Sequence, residues 1–320
     1  MATVITNLLS AIPVFGQDLV ESNYATELFS CLLYEGNSLP LLATIGTVRT
    51  QALKRGRKLR LSKEEYLQIP YQFIAFLVGL IDGDGYIQIT KSTKGFIAIR
   101  LVICLNLEDI SSLEYIYSVL KIGKIQVYRD VKNPICKLII NKTDLQEVIL
   151  PLLKHHNIYF LTESRRAQFD LAMLIFKNDI KLYKEISQIK EIPTIFELPK
   201  TALEYLSLPY FKNWLVGFTN AEGSFLIKRN NDASFQLKQR IHPYLFEAFK
   251  ILFNTKRNNS IEMDKYIQFA VSSKTDIQTV INFFSFSGLH PLIGLKNIQY
   301  FKWLKNLQNS IRYKNLNFPS

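Results

Sequence analysis

The sequence contains one nine-residue segment twice, and this repeat limits the possible folds more than any other feature. Leu77–Gly85 reads LVGLIDGDG, and Leu215–Gly223 reads LVGFTNAEG without a gap. Both copies share Leu-Val-Gly, a polar sixth residue, a small seventh, an acidic eighth and a glycine ninth. A repeat of this kind predicts two units of the same local structure that bury their apolar faces together.

Each copy is predicted to be a buried helix that leads into a strand. Pro70 and Pro209 precede the copies and suit the first turn of a helix, whereas the ninth-position glycines suit its end. After each glycine the apolar period changes from about 3.6 residues to about 2, over Tyr86–Thr90 and Ser224–Lys228.

The segments after the two copies match in their order. After the first copy the pattern predicts a strand at 95–106, a helix at 110–121, strands at 124–129 and 135–141, and helices at 143–155 and 164–177. After the second it predicts a strand at 234–240, a helix at 243–253, strands at 260–263 and 266–272, and helices at 274–286 and 296–311. The predicted fold class is therefore α+β, with two pseudo-symmetric αββαββα halves. The predicted divisions are an extension at 1–66, a first half at 67–178, a connector at 179–206 and a second half at 207–320.

The composition indicates a polyanionic partner. Thirty-nine Lys and Arg against 27 Asp and Glu give a net charge of +12, and 48% hydrophobic residues exclude global disorder. Cys31, Cys104 and Cys136 are too far apart for a disulfide framework, and the adjacent His155 and His156 cannot share one helix face as zinc ligands. A reducing compartment is expected.

The N-terminal segment is not predicted to span a membrane. Met1–Gln17 carries no charge, but Pro13 interrupts it and it falls short of the roughly 18–20 apolar residues that a span needs. Arg49–Lys63 holds seven basic residues and no acid, which is typical of a segment that contacts polyanions or keeps an apolar leader soluble. Thr3–Glu21 is similar to a piece of mitochondrial cytochrome b, which implies a reading frame running from an exon into its intron. An amphipathic N-terminal helix is the alternative.

The two acidic residues of the repeat are the candidate catalytic groups. Gly79 and Gly217, in mid-helix, suggest that the two helices approach closely, and side-by-side parallel packing would bring Asp84 and Glu222 together at their ends. Two such carboxylates repel each other and oppose the helix dipoles, and Mg²⁺ relieves both penalties. The alternative is that each acid belongs only to a turn dipeptide, which a double occurrence disfavours.

This double motif resembles the LAGLIDADG family of homing endonucleases and intron maturases, over about residues 68–315. The resemblance implies a monomer in which two antiparallel sheets form a saddle over DNA. It also implies that Asp84 and Glu222 bind Mg²⁺ with help from the backbone carbonyls of Gly83 and Ala221. The closest likeness is to fungal mitochondrial cytochrome b intron proteins, which implies a mitochondrial location.

The sequence departs from the family pattern in ways that distinguish the halves. Val78 and Val216 replace a small second residue, which predicts slightly wider helix spacing. Lys296 matches the lysine that the family places near a metal site, and Gln239 matches its polar partner. Three residues stand where the first half should carry its lysine: Ser164, Arg165 and Arg166. Arginine cannot relay a proton at neutral pH, so a weaker half-site, nicking or lost cleavage is expected there.

Strand alternation predicts the residues that face DNA. The strand after each motif turns its polar side chains away from the core, where a two-stranded ribbon can enter a major groove. The predicted DNA-binding residues are Gln88, Thr90, Arg100, Lys228, Arg229, Gln236, Lys238 and Arg240. Ser234 and Tyr86 are expected on the same faces.

Three functions follow from these observations. The first is a site-specific double-strand DNA endonuclease for intron homing, which also assists splicing in some relatives. The second is a maturase that binds its group I intron RNA and has weak or lost cleavage. The third, a structural basic protein, is disfavoured by the paired acids.

Overall fold

The computed structural model describes residues 60–319. The first half runs through α1 (Lys63–Leu67), α2 (Tyr71–Asp84), β1 (Gly85–Lys91), β2 (Ile97–Asn106), α3 (Ile110–Leu120), β3 (Lys124–Tyr128), β4 (Ile135–Asn141), α4 (Lys142–Asp144), α5 (Leu150–His156) and α6 (Glu163–Lys177). The connector holds α7 (Tyr183–Ile186) and α8 (Ala202–Ser207). The second half runs through α9 (Phe211–Glu222), β5 (Gly223–Ile227), β6 (Ala233–Arg240), α10 (Pro243–Leu252), β7 (Ser260–Glu262), β8 (Tyr266–Val271), α11 (Lys274–Ile281) and α12 (Gly294–Gln308).

Each half contains one four-stranded antiparallel sheet. The strand orders are β1-β2-β4-β3 and β5-β6-β8-β7, so the two sheets have the same topology. Their registers match as well. In each sheet the ninth-position glycine of the motif pairs with the residue three positions before the end of the next strand, Gly85 with Ile103 and Gly223 with Leu237. The predicted α+β class and pseudo-symmetric halves are confirmed.

Three predicted helices differ in detail from the observed ones. The helices predicted at 143–155 and 274–286 contain π-helical turns, at Leu145–Ile149 and Asn282–Phe286. The last helix ends at Gln308, three residues before its predicted end. The chain turns there because Tyr313 is fully buried, and its hydroxyl accepts from the Ala233 N–H and donates to the Ser272 carbonyl.

The halves are joined where α2 packs against α9. A Cβ on Gly79 would overlap the Trp214 carbonyl oxygen and lie 2.8 Å from Phe218 N. A Cβ on Gly217 would overlap the Phe76 carbonyl oxygen and lie 2.9 Å from Leu80 N. The helix backbones therefore touch at both glycines, despite valine at the second motif position. The helices run parallel, because Gly83 near the end of α2 also lies against Ala221 near the end of α9.

The cores on either side of this junction differ in composition. The core of the first half is built mainly from aliphatic side chains, such as Ile99, Leu101 and Leu138. That of the second half is a chain of aromatic contacts that includes Phe225, Phe235 and Phe269. Two halves of the same topology thus have cores of different composition, one mainly aliphatic and one mainly aromatic.

Residues 60–66, which the sequence groups with the extension, pack against the first half. Ser62 caps α1 by accepting from Glu65 N–H, and Tyr66 is buried. The Arg60 guanidinium forms ion pairs with Asp144 and Glu147. The rest of the predicted extension lies outside the described residues.

Candidate active site at the paired helix ends

The acidic residues of the two motifs close the ends of α2 and α9. Asp84 is the last residue of α2, and Glu222 is the last residue of α9. A Cβ on Gly83 would overlap the Ala221 side chain and lie 3.2 Å from Glu222 Cγ. The seventh and eighth residues of both motifs therefore lie against each other across the junction.

Both carboxyl groups have raised pKa values. Burial raises the pKa of Asp84 to about 6. Burial, and then the charge of Asp84, raise the pKa of Glu222 to about 7. Among residues 60–319, neither carboxylate takes part in an ion pair within 4.0 Å. Two half-buried carboxylates that lie side by side without such a partner favour a bound cation.

The oxygen atoms at this junction fit a hard divalent cation. The last carbonyls of a helix have no intrahelical partner, so those of Gly83 and Ala221 can join the two carboxylates as ligands. No group of three or more His, Cys, Asp or Glu side chains suited to a metal occurs among the described residues. A donor set of two carboxylates and backbone carbonyls, completed by water, suits Mg²⁺ and does not suit a closed zinc site.

The two carboxylates differ in their hydrogen bonds. Gln239 Nε2 donates to Glu222 Oε1 at 2.8 Å. The corresponding position of the first sheet is Leu105, because both residues stand two positions after the ladder partner of the ninth-position glycine. No donor among residues 60–319 reaches the Asp84 carboxylate.

Each half also supplies one half-buried cationic side chain near the acids. Lys296, in the first turn of α12, donates from Nζ to the Gly223 carbonyl. Arg165, in the first turn of α6, donates from Nε to the Ile81 carbonyl at 3.2 Å. Arg166 instead pairs with Asp170. Of the three residues left open by the sequence, Arg165 is therefore the counterpart of Lys296.

Burial lowers the pKa values of both cations, and the acids oppose that shift. The charge of Asp84 supports the Lys296 ammonium most strongly, followed by those of Asp109 and Glu222. For Arg165 the order is Asp82, Glu222 and then Asp84. Each cation thus lies within the field of both motif acids.

The sixth motif position has a structural role that the sequence did not indicate. The buried Asp82 carboxylate accepts from the Leu161 and Thr162 backbone N–H groups at 2.8 and 3.2 Å, and from the Thr162 hydroxyl at 2.6 Å. It also accepts from Trp214 Nε1 of the other motif helix at 2.7 Å. Burial raises the pKa of Asp82 to about 6. Its contacts fix the residues directly before α6, and hence the start of the helix that carries Arg165.

Asn220 occupies the sixth position of the second motif and acts on the equivalent segment. Its Oδ1 accepts from the Ile293 N–H at 2.9 Å, directly before α12. Each motif helix therefore holds the start of the helix that supplies a cation. The sequence signal was the shared polar sixth residue inside an otherwise apolar helix.

The predicted DNA-binding residues lie on the exposed faces, turns and ends of the two sheets. Gln88 and Arg100 are cross-strand partners in the first sheet. In the second, the Gln236 side chain accepts from Gln268, and Lys238 forms an ion pair with Glu262. The remaining predicted positions lie on β1, in the β5–β6 turn and at the end of β6: Thr90, Lys228, Arg229 and Arg240.

Ser234 does not form part of the exposed face. It is fully buried, because it lies opposite Leu226 in the ladder and its hydroxyl accepts from the Gln236 amide. Ser234 therefore shares the face of Gln236, as expected, but it is not exposed there, whereas Tyr86 is half-buried. The inner strands β4 and β8 add further polar residues that were not predicted from the sequence, among them Lys137 and Gln268.

The sequence profile of the LAGLIDADG endonuclease family matches this chain at residues 77–176 and again at 215–307. The chain belongs to that family. The two matched segments each begin within a motif helix and end in the helix that carries the cation of that half, so the LAGLIDADG profile covers both halves of the site.

Relatives of this LAGLIDADG protein are named as intron-encoded endonucleases. A Kluyveromyces lactis protein, "Probable intron-encoded endonuclease aI3", is 28% identical, over 71% of this chain and 63% of its own length. A Dictyostelium discoideum protein of the same name is 25% identical, over 74% of this chain and 96% of its own length. The chain thus spans less than two thirds of the first relative and nearly all of the second.

Solved LAGLIDADG structures have the same fold. The meganuclease I-CpaMI bound to uncleaved DNA superposes with a TM-score of 0.59 and 20% identity, covering 76% of this chain and 92% of that one. I-SmaMI, bound to an uncleaved DNA target with calcium ions, gives 0.58 and 18%, covering 74% and 91%. In the part of this chain that the structure describes, no helix is both long and apolar enough to cross a bilayer.

Proposed function

We propose that this protein is a site-specific double-strand DNA endonuclease that hydrolyses phosphodiester bonds with Mg²⁺ and acts in intron homing in mitochondrial DNA. The observation that carries the proposal is the meeting of Asp84 and Glu222 at the joined ends of α2 and α9. Polar faces of two matching sheets flank this point, as a DNA duplex with one scissile phosphate on each strand requires.

The residues around the acids have separable tasks. Asp84 and Glu222, with the carbonyls of Gly83 and Ala221, would hold the divalent ions, which supply charge for the scissile phosphates and activate water. Gln239 orients the Glu222 carboxylate. Lys296 Nζ can release a proton to a leaving oxygen, whereas the guanidinium of Arg165 keeps its protons and offers only charge and hydrogen bonds.

The sheet faces would supply binding and sequence recognition. Arg, Lys and Gln side chains hydrogen-bond base edges in the major groove, and the predicted set provides all three types. The pairing of Gln236 with Gln268, and of Lys238 with Glu262, holds these side chains in defined positions before DNA arrives. A single chain with two half-sites would act as a monomer.

The test is cleavage of a duplex that spans the intron insertion site, in Mg²⁺ and in EDTA. We expect cutting of both strands with Mg²⁺ and none in EDTA. The variants Asp84→Asn and Glu222→Gln should cut more than about 10³-fold more slowly, since each removes charge needed only for catalysis.

The same amide variants provide a stability control. In EDTA they should melt at a higher temperature than the unchanged protein, because two buried like charges no longer face each other. Folded protein that binds this duplex but leaves both strands intact with Mg²⁺ would contradict the proposal.

A second function, assistance to splicing of the host group I intron, is favoured by the first-half site. There Arg165 stands where the second half has Lys296, and Leu105 stands where it has Gln239, so the first-half site has fewer groups that can assist cleavage. Asp84→Asn discriminates the two functions. If the protein is a maturase, this variant should still accelerate splicing of the intron RNA while it no longer cuts DNA.

A further inference from the structure

A contact between the halves lies beside the catalytic lysine. Asp109 belongs to the turn between β2 and α3 of the first half, and its Oδ1 accepts from the backbone N–H of Leu295 in α12 at 2.8 Å. The Ser112 hydroxyl donates to the same carboxylate oxygen at 2.8 Å. A residue of one half therefore caps a helix of the other, 186 residues away in the chain.

The fit of this contact depends on glycine. Gly294 has φ +54°, in the left-handed region, and a Cβ there would overlap Asp109 Oδ1 and the Ser112 hydroxyl. Any other residue would be strained at this φ and would push the Asp109 turn away from α12. The backbone of the second half at Gly294 thus leaves room for the Asp109 carboxylate of the first half.

Lys296 directly follows the capped residue. The backbone is held at Ile293 by Asn220 and at Leu295 by Asp109, so one contact from each half brackets the start of α12. The Lys296 side chain then reaches the Gly223 carbonyl. Asp109 and Lys296 form no ion pair within 4.0 Å. The hydrogen bond of Asp109 to this segment is to the Leu295 backbone, and its charge also supports the Lys296 ammonium.

The equivalent place on the other side is open. The turn between β6 and α10 carries His242, which faces Glu163 at the start of α6. In place of a cap, a cavity of about 350 Å³ separates these elements, with Arg166 and Tyr244 also in its lining. Among residues 60–319, no side chain of the opposite half caps the helix that carries Arg165 in the way that Asp109 caps the helix of Lys296.

We propose that Asp109 is a positioning residue that holds Lys296 in the reaction centre by fixing the first turn of α12 from the opposite half. The inference rests on the proposed endonuclease function. It predicts that loss of the Asp109 carboxylate mobilises Lys296 and slows the strand that depends on it, without a matching loss of DNA affinity.

The first measurement does not require cleavage. Lys296 in the folded protein is acetylated with acetic anhydride and quantified by mass spectrometry, with the exposed Lys228 as the internal reference. Asp109→Ala should raise the Lys296 rate about tenfold relative to that reference. Asp109→Asn should stay within about threefold of the unchanged protein, because its amide oxygen still accepts from Leu295 N–H. Gly294→Ala, which breaks the same contact from the other side, should resemble Asp109→Ala.

The second measurement follows each strand of an end-labelled duplex in Mg²⁺, and DNA binding in Ca²⁺. Asp109→Ala should slow one strand about tenfold and change affinity less than about twofold. Ser273→Ala is the matched control, since it removes the cap that Ser273 provides to Asp276 N–H at the start of α11. It should lower the melting temperature to a similar extent while the strand rates keep their ratio.

Unchanged Lys296 acetylation in folded Asp109→Ala would overturn the inference, as would equal slowing of both strands. If the unchanged protein cuts no DNA, the proposed function fails, and the acetylation rates still decide whether Asp109 positions Lys296.

Discussion

The two halves of this protein have the same topology and register, yet they differ at nearly every polar residue around the motif acids. In the second half Glu222 is held by Gln239, and Lys296 lies in a helix that is capped from across the junction. In the first half Asp84 receives no hydrogen bond from the described residues, and Arg165 occupies the lysine position.

The first half is richer in a different kind of contact. Asp82 gathers four hydrogen bonds, one of them from Trp214 of the opposite motif helix, where Asn220 gathers one. The difference indicates that the first half secures the junction. Under the proposed function, the second half would carry the more complete proton chemistry. The matching backbones of the two halves set the spacing of the two acids, whereas the side chains around the acids differ between the halves.

The largest expected effect concerns the helix junction, where the two halves have the same structure. Gly79→Ala and Gly217→Ala should each cost more than about 4 kcal/mol of unfolding free energy, because backbone atoms of the other helix occupy the space of the new Cβ. The gain in helix propensity returns only about 1 kcal/mol. Urea unfolding measures both. A mild loss at one glycine and a severe loss at the other would show that the junction is not symmetric.

How far the sequence predicts this site depends on the range of the interaction. The repeat located both acids and the helix ends that carry them, because these follow from local pattern. The family resemblance matched Lys296 and Gln239. It could not choose among Ser164, Arg165 and Arg166, since one residue along a helix rotates the side chain by about 100°.

The missed contacts are all distant in the chain. Asp82 meets Trp214 across 132 residues, and Asp109 meets Leu295 across 186. A buried polar group reveals only that it has partners, and the fold determines which ones. Ser234 shows the same limit, because alternation gave its face correctly while neighbouring side chains decided its exposure.

The next largest effect concerns the sixth motif position, where the two halves differ in their hydrogen bonds. Asp82→Ala should cost about 3 kcal/mol, because it leaves two backbone N–H groups and the Trp214 indole N–H buried without an acceptor. Asn220→Ala removes one acceptor and should cost about 1 kcal/mol. Thermal or urea unfolding of the pair measures the difference. Equal losses would contradict the view that the first half secures the junction.

A smaller effect is expected when the second half is made to resemble the first. Gln239→Leu copies Leu105 and removes the donor at 2.8 Å from Glu222, so one strand should be cut about tenfold more slowly, with DNA affinity retained. Gln268→Leu is the control, because it removes a hydrogen bond of similar length on the exposed face of the sheet. That variant should change affinity and leave the ratio of strand rates unchanged. If Gln239→Leu changed only the affinity and Gln268→Leu changed the ratio of strand rates, Gln239 would have no part in the mechanism.

The smallest effect is expected when the first half is made to resemble the second. Arg165→Lys places a side chain that can release a proton where the guanidinium cannot, so the slower strand should be cut about threefold faster. The gain is limited because the bond from Arg165 Nε to the Ile81 carbonyl is lost, and because the described part of the chain offers the start of α6 no counterpart of the Asp109 cap. Strand-resolved cleavage of an end-labelled duplex measures the change, with Arg165→Met as the control for loss of charge. If lysine and methionine slow that strand equally, the arginine is itself the working residue, and the first half is a differently built centre instead of a weakened copy.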